Sequence, residues 1–216
     1  MKPGHTLAVM LAFLLVSNSS TLGAEEHPKL SDKYRGFCVD YSEVCNNPNF
    51  TTLRATMNKQ IDMVMAVGIS TNLTRFFQEI PIKVHAGKES YAGQYTGKSN
   101  KAVEVTSAFL TRGRKPLLLH ELLHAFHDQQ LAGGYKNRDV LMYFTKAKTM
   151  NAYAASSHMM ANVKEFFASA ATAYLFGVTV LEPFQREKIR TAQPEFYQYL
   201  GSLFGPDAGK YQGSLR

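Results

Sequence analysis

Two histidines four residues apart, with an acid beside the first, constrain this chain more than any other feature. They lie in Leu119-His120-Glu121-Leu122-Leu123-His124-Ala125-Phe126-His127-Asp128. The leucines and alanine around them favour a helix, and on a helix positions i and i+4 stand one above the other on the same face. Both imidazoles can then reach a single ion. Glu121, about 100° further round, cannot easily share that ion but can reach a water on its open side. The fold must therefore bury the leucines of this helix while turning its histidine face towards a cavity.

A catalytic zinc site takes three protein ligands and keeps one position open, so the two histidines need a third partner. Asn162-Val163-Lys164-Glu165-Phe166-Phe167-Ala168 supplies a candidate. Phe166, Phe167, Ala170, Ala171 and Ala173 read as a buried helical surface, beside which an unpaired carboxylate is costly unless it meets a cation. The expected centre is one Zn2+ per chain, held by His120, His124 and Glu165, with Glu121 as general base. Asp128, one turn beyond His124, is expected to orient a ligating imidazole through its second ring nitrogen. His127 is expected to be a packed or surface residue rather than a ligand, because three ligands are already assigned.

The ends of the chain bear on where such a site would work. Lys2, the apolar run Leu7 to Val16 and the small residues up to Gly23 and Ala24 have the form of a secretory signal peptide over residues 1–24. That run is too short for a spanning helix, which needs roughly 20 apolar residues, so no stable membrane insertion is expected after its removal. A secreted or periplasmic location follows. Cys38 and Cys45 are the only cysteines, and outside the cytoplasm they are expected to form a disulfide. Asn49-Phe50-Thr51 and Asn72-Leu73-Thr74 fit the N-glycosylation pattern, which acts only in a eukaryotic source. The formal charge is +7, but Lys and Arg are scattered rather than massed in one run, so no nucleic-acid partner is expected.

Residues 25–216 read as one domain with an irregular N-terminal segment to about 50. Leu53, Met57, Ile61, Val64 and Met65 recur at helical spacing between Thr52 and Val67. Ile80, Ile82 and Val84 alternate with polar residues, and Pro81 puts that strand at an edge or a strand start. A second strand is expected in Lys101 to Leu110. Beyond Pro116 the pattern is helical: about Leu117 to Leu131, a helix from near Asn137, one containing Glu165 and ending at Gly177, and one from Pro194. The fold class is α+β, a small mixed sheet leading into a mostly helical half that carries both candidate metal helices.

The run from His120 to Asp128, the block from Asn162 to Ala168, and Ile189-Arg190-Thr191-Ala192-Gln193-Pro194-Glu195-Phe196 together resemble the gluzincin metallopeptidases. The likeness is to the catalytic domain of anthrax lethal factor and to small bacterial zinc-binding metallopeptidases of the same clan, and it runs from about Ile80 to Phe204. The resemblance implies the same three ligands. It also implies an extended polypeptide substrate laid along an edge strand, here at Lys101 to Leu110. The family carries a catalytic tyrosine seven residues before the ligand glutamate, where this chain has His158, whose imidazole can donate a hydrogen bond in its place. Ser169 replaces the family's acid four residues after that glutamate. The sequence thus reads as an exported zinc-dependent peptidase. The alternative is a zinc-binding, catalytically inactive peptide-binding protein of the same fold, since both departures touch the support for catalysis rather than the metal.

Overall fold

Phe37 and Val39 alternate with Cys38 and Asp40, and that period of two makes a strand inside the segment expected to be irregular. In the computed structural model, which describes residues 30–87, 92–97, 100–110, 115–205 and 207–214, strands β1 (Ser31–Tyr34) and β2 (Phe37–Asp40) form an antiparallel hairpin. Arg35 and Gly36 between them have φ of 45° and 86°, the left-handed pair that a two-residue turn needs to match the strand twist. The expectation for residues 31–40 is therefore corrected. The strands have four residues each, and only Phe37 and Val39 are apolar and buried, so the alternation is too brief to read beforehand.

The same alternation decides the cysteines. With Phe37 and Val39 turned inward, Cys38 takes the outer face and is exposed, while the Cys45 thiol donates to the Ser42 carbonyl at 3.2 Å. Both thiols are free, so the bridge expected between them is absent from the structure. The leader expected at 1–24 lies outside the described residues. Among those described, no helix is long and apolar enough to cross a membrane.

Three further strands complete a mixed sheet: β3 (Ile82–His85), β4 (Gly93–Tyr95) and β5 (Val103–Thr106), in the order β1-β2-β3-β5-β4. β3 runs parallel to β2 and to β5, and Ile82, Val84, Val103 and Val105 bury their side chains. The strand expected at the edge, within Lys101 to Leu110, is an interior one. β4 pairs with its outer side, with Gly93 opposite Val105 and Tyr95 opposite Val103, and takes the edge itself. Gly-Gln-Tyr has no apolar alternation, which is why the edge was misplaced. From Ser107 to Leu110 the chain is helical (α3) rather than extended.

Helix α1 (Phe50–Ala66) buries Leu53, Met57, Ile61 and Val64, as the spacing required. α2 (Thr71–Glu79), not foreseen, starts at Ser70, whose hydroxyl accepts from the Leu73 amide at 3.3 Å. The helical half comprises α4 (Leu117–Gln129), α5 (Arg138–Thr149), α6 (Val163–Phe176), α7 (Arg186–Ala192) and α8 (Pro194–Phe204). Every residue of α6 from Phe166 to Phe176 is buried, and the helix stops at Gly177, whose φ of 93° suits a residue without Cβ. Phe166 stacks on Phe196 of α8 at 4.8 Å, and Phe126 of α4 stacks on Phe167 at 6.2 Å. The two helices that carry the candidate ligands are thus locked together by core aromatics.

Candidate metal centre

The start of α6 is set by Asn162, whose side-chain oxygen accepts from the amides of Lys164 at 3.0 Å and Glu165 at 3.1 Å. With Phe166 and Phe167 committed to the core, the neighbouring Glu165 is turned towards α4. There its Oε2 lies 3.2 Å from His120 Nε2 and 3.4 Å from His124 Nε2. The two imidazoles stand edge to face, 4.8 Å apart at an interplanar angle of 90°. One ligand atom from each of the three residues falls within 4.8 Å of the others.

These separations can be set against what an ion requires. Tetrahedral zinc with bonds of about 2.0–2.1 Å holds its ligand atoms about 3.3 Å apart, and the two nitrogen-to-carboxylate distances straddle that value. The donor set of two imidazoles and one carboxylate suits a divalent ion of intermediate softness. Side-chain exposures of 17%, 9% and 20% for His120, His124 and Glu165 leave the cluster partly open to solvent.

The charges of the three are mutually dependent. Burial pushes the Glu165 carboxyl up, but hydrogen bonds from His120 and His124 outweigh it and hold the group far below the usual carboxylate range. Burial opposes a charged His120, yet the Glu165 hydrogen bond and the Glu121 carboxylate raise its pKa overall. Removing the imidazoles would leave Glu165 as a buried charge without a counter-ion.

Glu121 lies beside this group and is 4% exposed. Burial raises its pKa above the ordinary carboxylate value, opposed by His120 and His124 and by a hydrogen bond from the backbone N–H of Tyr95. That contact comes from β4, whose Gly93 approaches so closely that a Cβ there would lie 3.0 Å from Leu117 Cδ2 and 3.3 Å from Glu121 Cγ. The free edge of the sheet therefore positions Glu121. Neither Gly93 nor Tyr95 was singled out from sequence. A glycine within a short polar strand was the one signal they offered.

Asp128 does not perform the role expected of it. Its Oδ2 accepts from the Tyr95 hydroxyl at 3.2 Å, and Gln129 Nε2 donates to the same hydroxyl at 2.8 Å. Among the described residues no hydrogen bond joins Asp128 to His120 or His124. Burial and the Asp128 carboxylate push the Tyr95 phenol up to about 12. Of the two placements open to His127, the structure has the packed one: it is fully buried between Phe167 at 4.7 Å and Tyr135 at 5.1 Å, and neither ring nitrogen has a hydrogen-bond partner among the described residues.

His158, in the short 3-10 turn His158–Met160, is brought into the centre: its Nε2 lies 2.8 Å from Glu165 Oε2. It is half exposed and approaches the carboxylate from outside the cluster of three. Ser169, where the resembled family has an acid, is buried on α6. No known family model, curated protein or solved structure matches the chain.

Proposed function

We propose that the protein is a zinc-dependent peptidase of the gluzincin type, in which His120, His124 and Glu165 hold the metal. The observation that carries this reading is the convergence of those three side chains beside a buried Glu121. Zinc, when bound in such a set, polarises a carbonyl and lowers the pKa of its water towards about 7. The chain supplies the proton chemistry. Glu121 takes the proton of the attacking water and returns it to the leaving amine, and a carboxyl with a raised pKa is suited to both directions. The close approach of Gly93 to Glu121 holds the base beside the cluster before substrate arrives.

The substrate class is an extended polypeptide. Among the described residues no further strand pairs with the outer side of β4 along Gly93–Tyr95, next to Glu121, and main-chain pairing there would be tolerant of side-chain identity. The leader supports a secreted or periplasmic site of action.

One observation favours the second reading, a zinc-binding protein that captures peptides without cleaving them. His158 Nε2 is engaged by Glu165 rather than free above the cluster, so the donor implied by the resemblance is not poised. Digestion of a peptide library by wild type and Glu121→Gln separates the two. The peptidase reading predicts cleavage by wild type alone, with zinc retained in both. Equal absence of cleavage at one zinc per chain would establish the binding protein instead.

A further inference from the structure

Away from the metal centre, the large apolar side chains left exposed are grouped rather than scattered. Eight stand exposed among the described residues, and six of them belong to two segments: Leu141, Met142 and Met150 along α5 and its C-terminal end, and Val180, Leu181 and Phe184 in the loop after α6. Single exposed apolar groups are ordinary on a protein surface, whereas a grouping of this kind marks a surface that meets something else.

On α5 the grouping follows from helical spacing. Val140 and Ala147 are buried and Phe144 packs on Phe166 at 5.4 Å, which commits one side of the helix to α6. Leu141, Met142 and Met150 take another side, where they line one shallow furrow with Arg138 and Lys146. The loop presents its apolar groups differently. Val178 pairs with Gln185 across its base, the Thr179 amide donates to the Phe184 carbonyl at 2.7 Å, and the Phe184 amide donates to the Leu181 carbonyl at 2.9 Å. These bonds hold Phe184 at φ 60°, a left-handed conformation that bulky residues rarely take, with the residue 53% exposed. A bulky side chain held out on strained backbone points to a use outside the fold. Glu182 Oε2 accepts from the Ala154 amide at 2.9 Å, so the loop is fastened to the segment that leaves α5 just beyond Met150.

The charges around these segments are mostly basic. Lys146 pairs with Glu195, Arg190 with Glu187, and Arg186 is turned onto the carbonyls of Tyr174 and Leu175. With Glu182 bound to Ala154, the charges that remain in 136–150 and 178–190 are Lys136, Arg138, Lys148 and Lys188 against Asp139 alone. Apolar groups on a helix face and a loop tip, with cations beside them, suit an anionic lipid surface: the apolar groups enter the boundary between headgroups and acyl chains, and the cations meet the headgroup phosphates. A second copy of the chain suits them less, because an isologous contact would set the same cations against one another.

We propose that α5 and the 178–185 loop form a docking surface for anionic lipid bilayers, with Leu181 and Phe184 entering the interface and Arg138 and Lys148 meeting headgroups. The attachment is peripheral and reversible, and it is independent of the zinc ligands and of peptide hydrolysis.

Sedimentation with vesicles tests it, comparing phosphatidylcholine alone with phosphatidylcholine that carries about one-third phosphatidylserine. Every protein is the same full chain, so residues 1–29 contribute equally to all. Wild type should bind the anionic vesicles at least about tenfold more tightly and lose that preference in high salt. Joint substitution Leu181→Ser and Phe184→Asn should weaken binding at least about tenfold. Asparagine tolerates the left-handed backbone, so the urea midpoint and zinc content should stay at wild-type values. Arg138→Gln and Lys148→Gln should each lower the anionic preference about fivefold. The chain has no tryptophan, so Phe184→Trp places a single reporter at the loop tip, and acyl-brominated phosphatidylcholine in the anionic vesicles should quench it. Equal or absent binding of wild type to the two vesicle types, undiminished binding of the Leu181, Phe184 variant, or an unquenched Phe184→Trp would overturn the proposal. So would wild-type dimers that are lost in that variant without any vesicle binding, which would assign the surface to a second copy. Peptide cleavage should be the same in all these variants, so this surface and the peptidase reading fail separately.

Discussion

His127 makes the folded state sensitive to acid in a way that can be worked out from its surroundings. Its ring is fully buried between Phe167 and Tyr135 with both nitrogens unpaired, and burial, with smaller contributions from His124 and Lys164, pushes its pKa down from 6.5 to about 3. The folded protein therefore refuses a proton that the unfolded chain accepts. Stability linked to this residue is complete above pH 6.5 and is lost as pH falls towards 3. Between pH 7 and pH 5 the loss is about 2 kcal/mol, and by pH 3 it reaches about 4 kcal/mol, a large part of a typical domain's stability. Replacing the ring by leucine removes both the proton and the two unsatisfied nitrogens. Urea unfolding of wild type and His127→Leu at pH 7 and pH 5, in chelator so that zinc does not add its own pH dependence, reads the difference. His127→Leu should be no less stable than wild type at pH 7 and should gain about 2 kcal/mol on it by pH 5. Parallel losses in the two proteins would mean that His127 is protonated, or hydrogen-bonded, in the folded state.

Gly93→Ala forces a methyl into the space between β4, Leu117 and Glu121, and should cost about 1–3 kcal/mol in denaturant unfolding. It should also slow hydrolysis more than it weakens zinc binding, because Glu121 moves while the ligands do not. Phe166→Ala removes the ring stacked on Phe196 and should cost about 3–5 kcal/mol, with weaker zinc binding because Glu165 loses its neighbouring anchor. Tyr95→Phe deprives Asp128 and Gln129 of their shared hydroxyl and should lower stability by about 1 kcal/mol by the same unfolding measurement.

Much of the centre was legible because its signals are local. The i, i+4 histidines, the Asn162 cap and the apolar run behind Glu165 each depend on one helix, and helical periodicity survives without knowledge of the partner. What packs against those helices was not legible. β4 has three residues and no alternation, so neither its place at the sheet edge nor its hold on Glu121 could be read from spacing. Asp128 shows the same limit from the other side: its place on α4 follows from helical spacing, but its contact with the Tyr95 hydroxyl does not. Gly133-Gly134 read as a helix stop and nothing more. That this stop carries Tyr135 back against His127 and Lys164 depends on left-handed backbone at both glycines. The hairpin at 31–40 escaped notice because Arg35-Gly36 is a weaker turn signal than Asn-Gly.

The central claim is that Glu165 completes a zinc site begun by His120 and His124. A competitive titration of zinc against a chromophoric chelator, for wild type, Glu165→Ala and Glu121→Gln, tests it most directly. One zinc per chain is expected for wild type and for Glu121→Gln with closely similar affinity, and an affinity at least about 10²-fold weaker for Glu165→Ala, which loses a ligand outright. Equal zinc affinity in wild type and Glu165→Ala would contradict it.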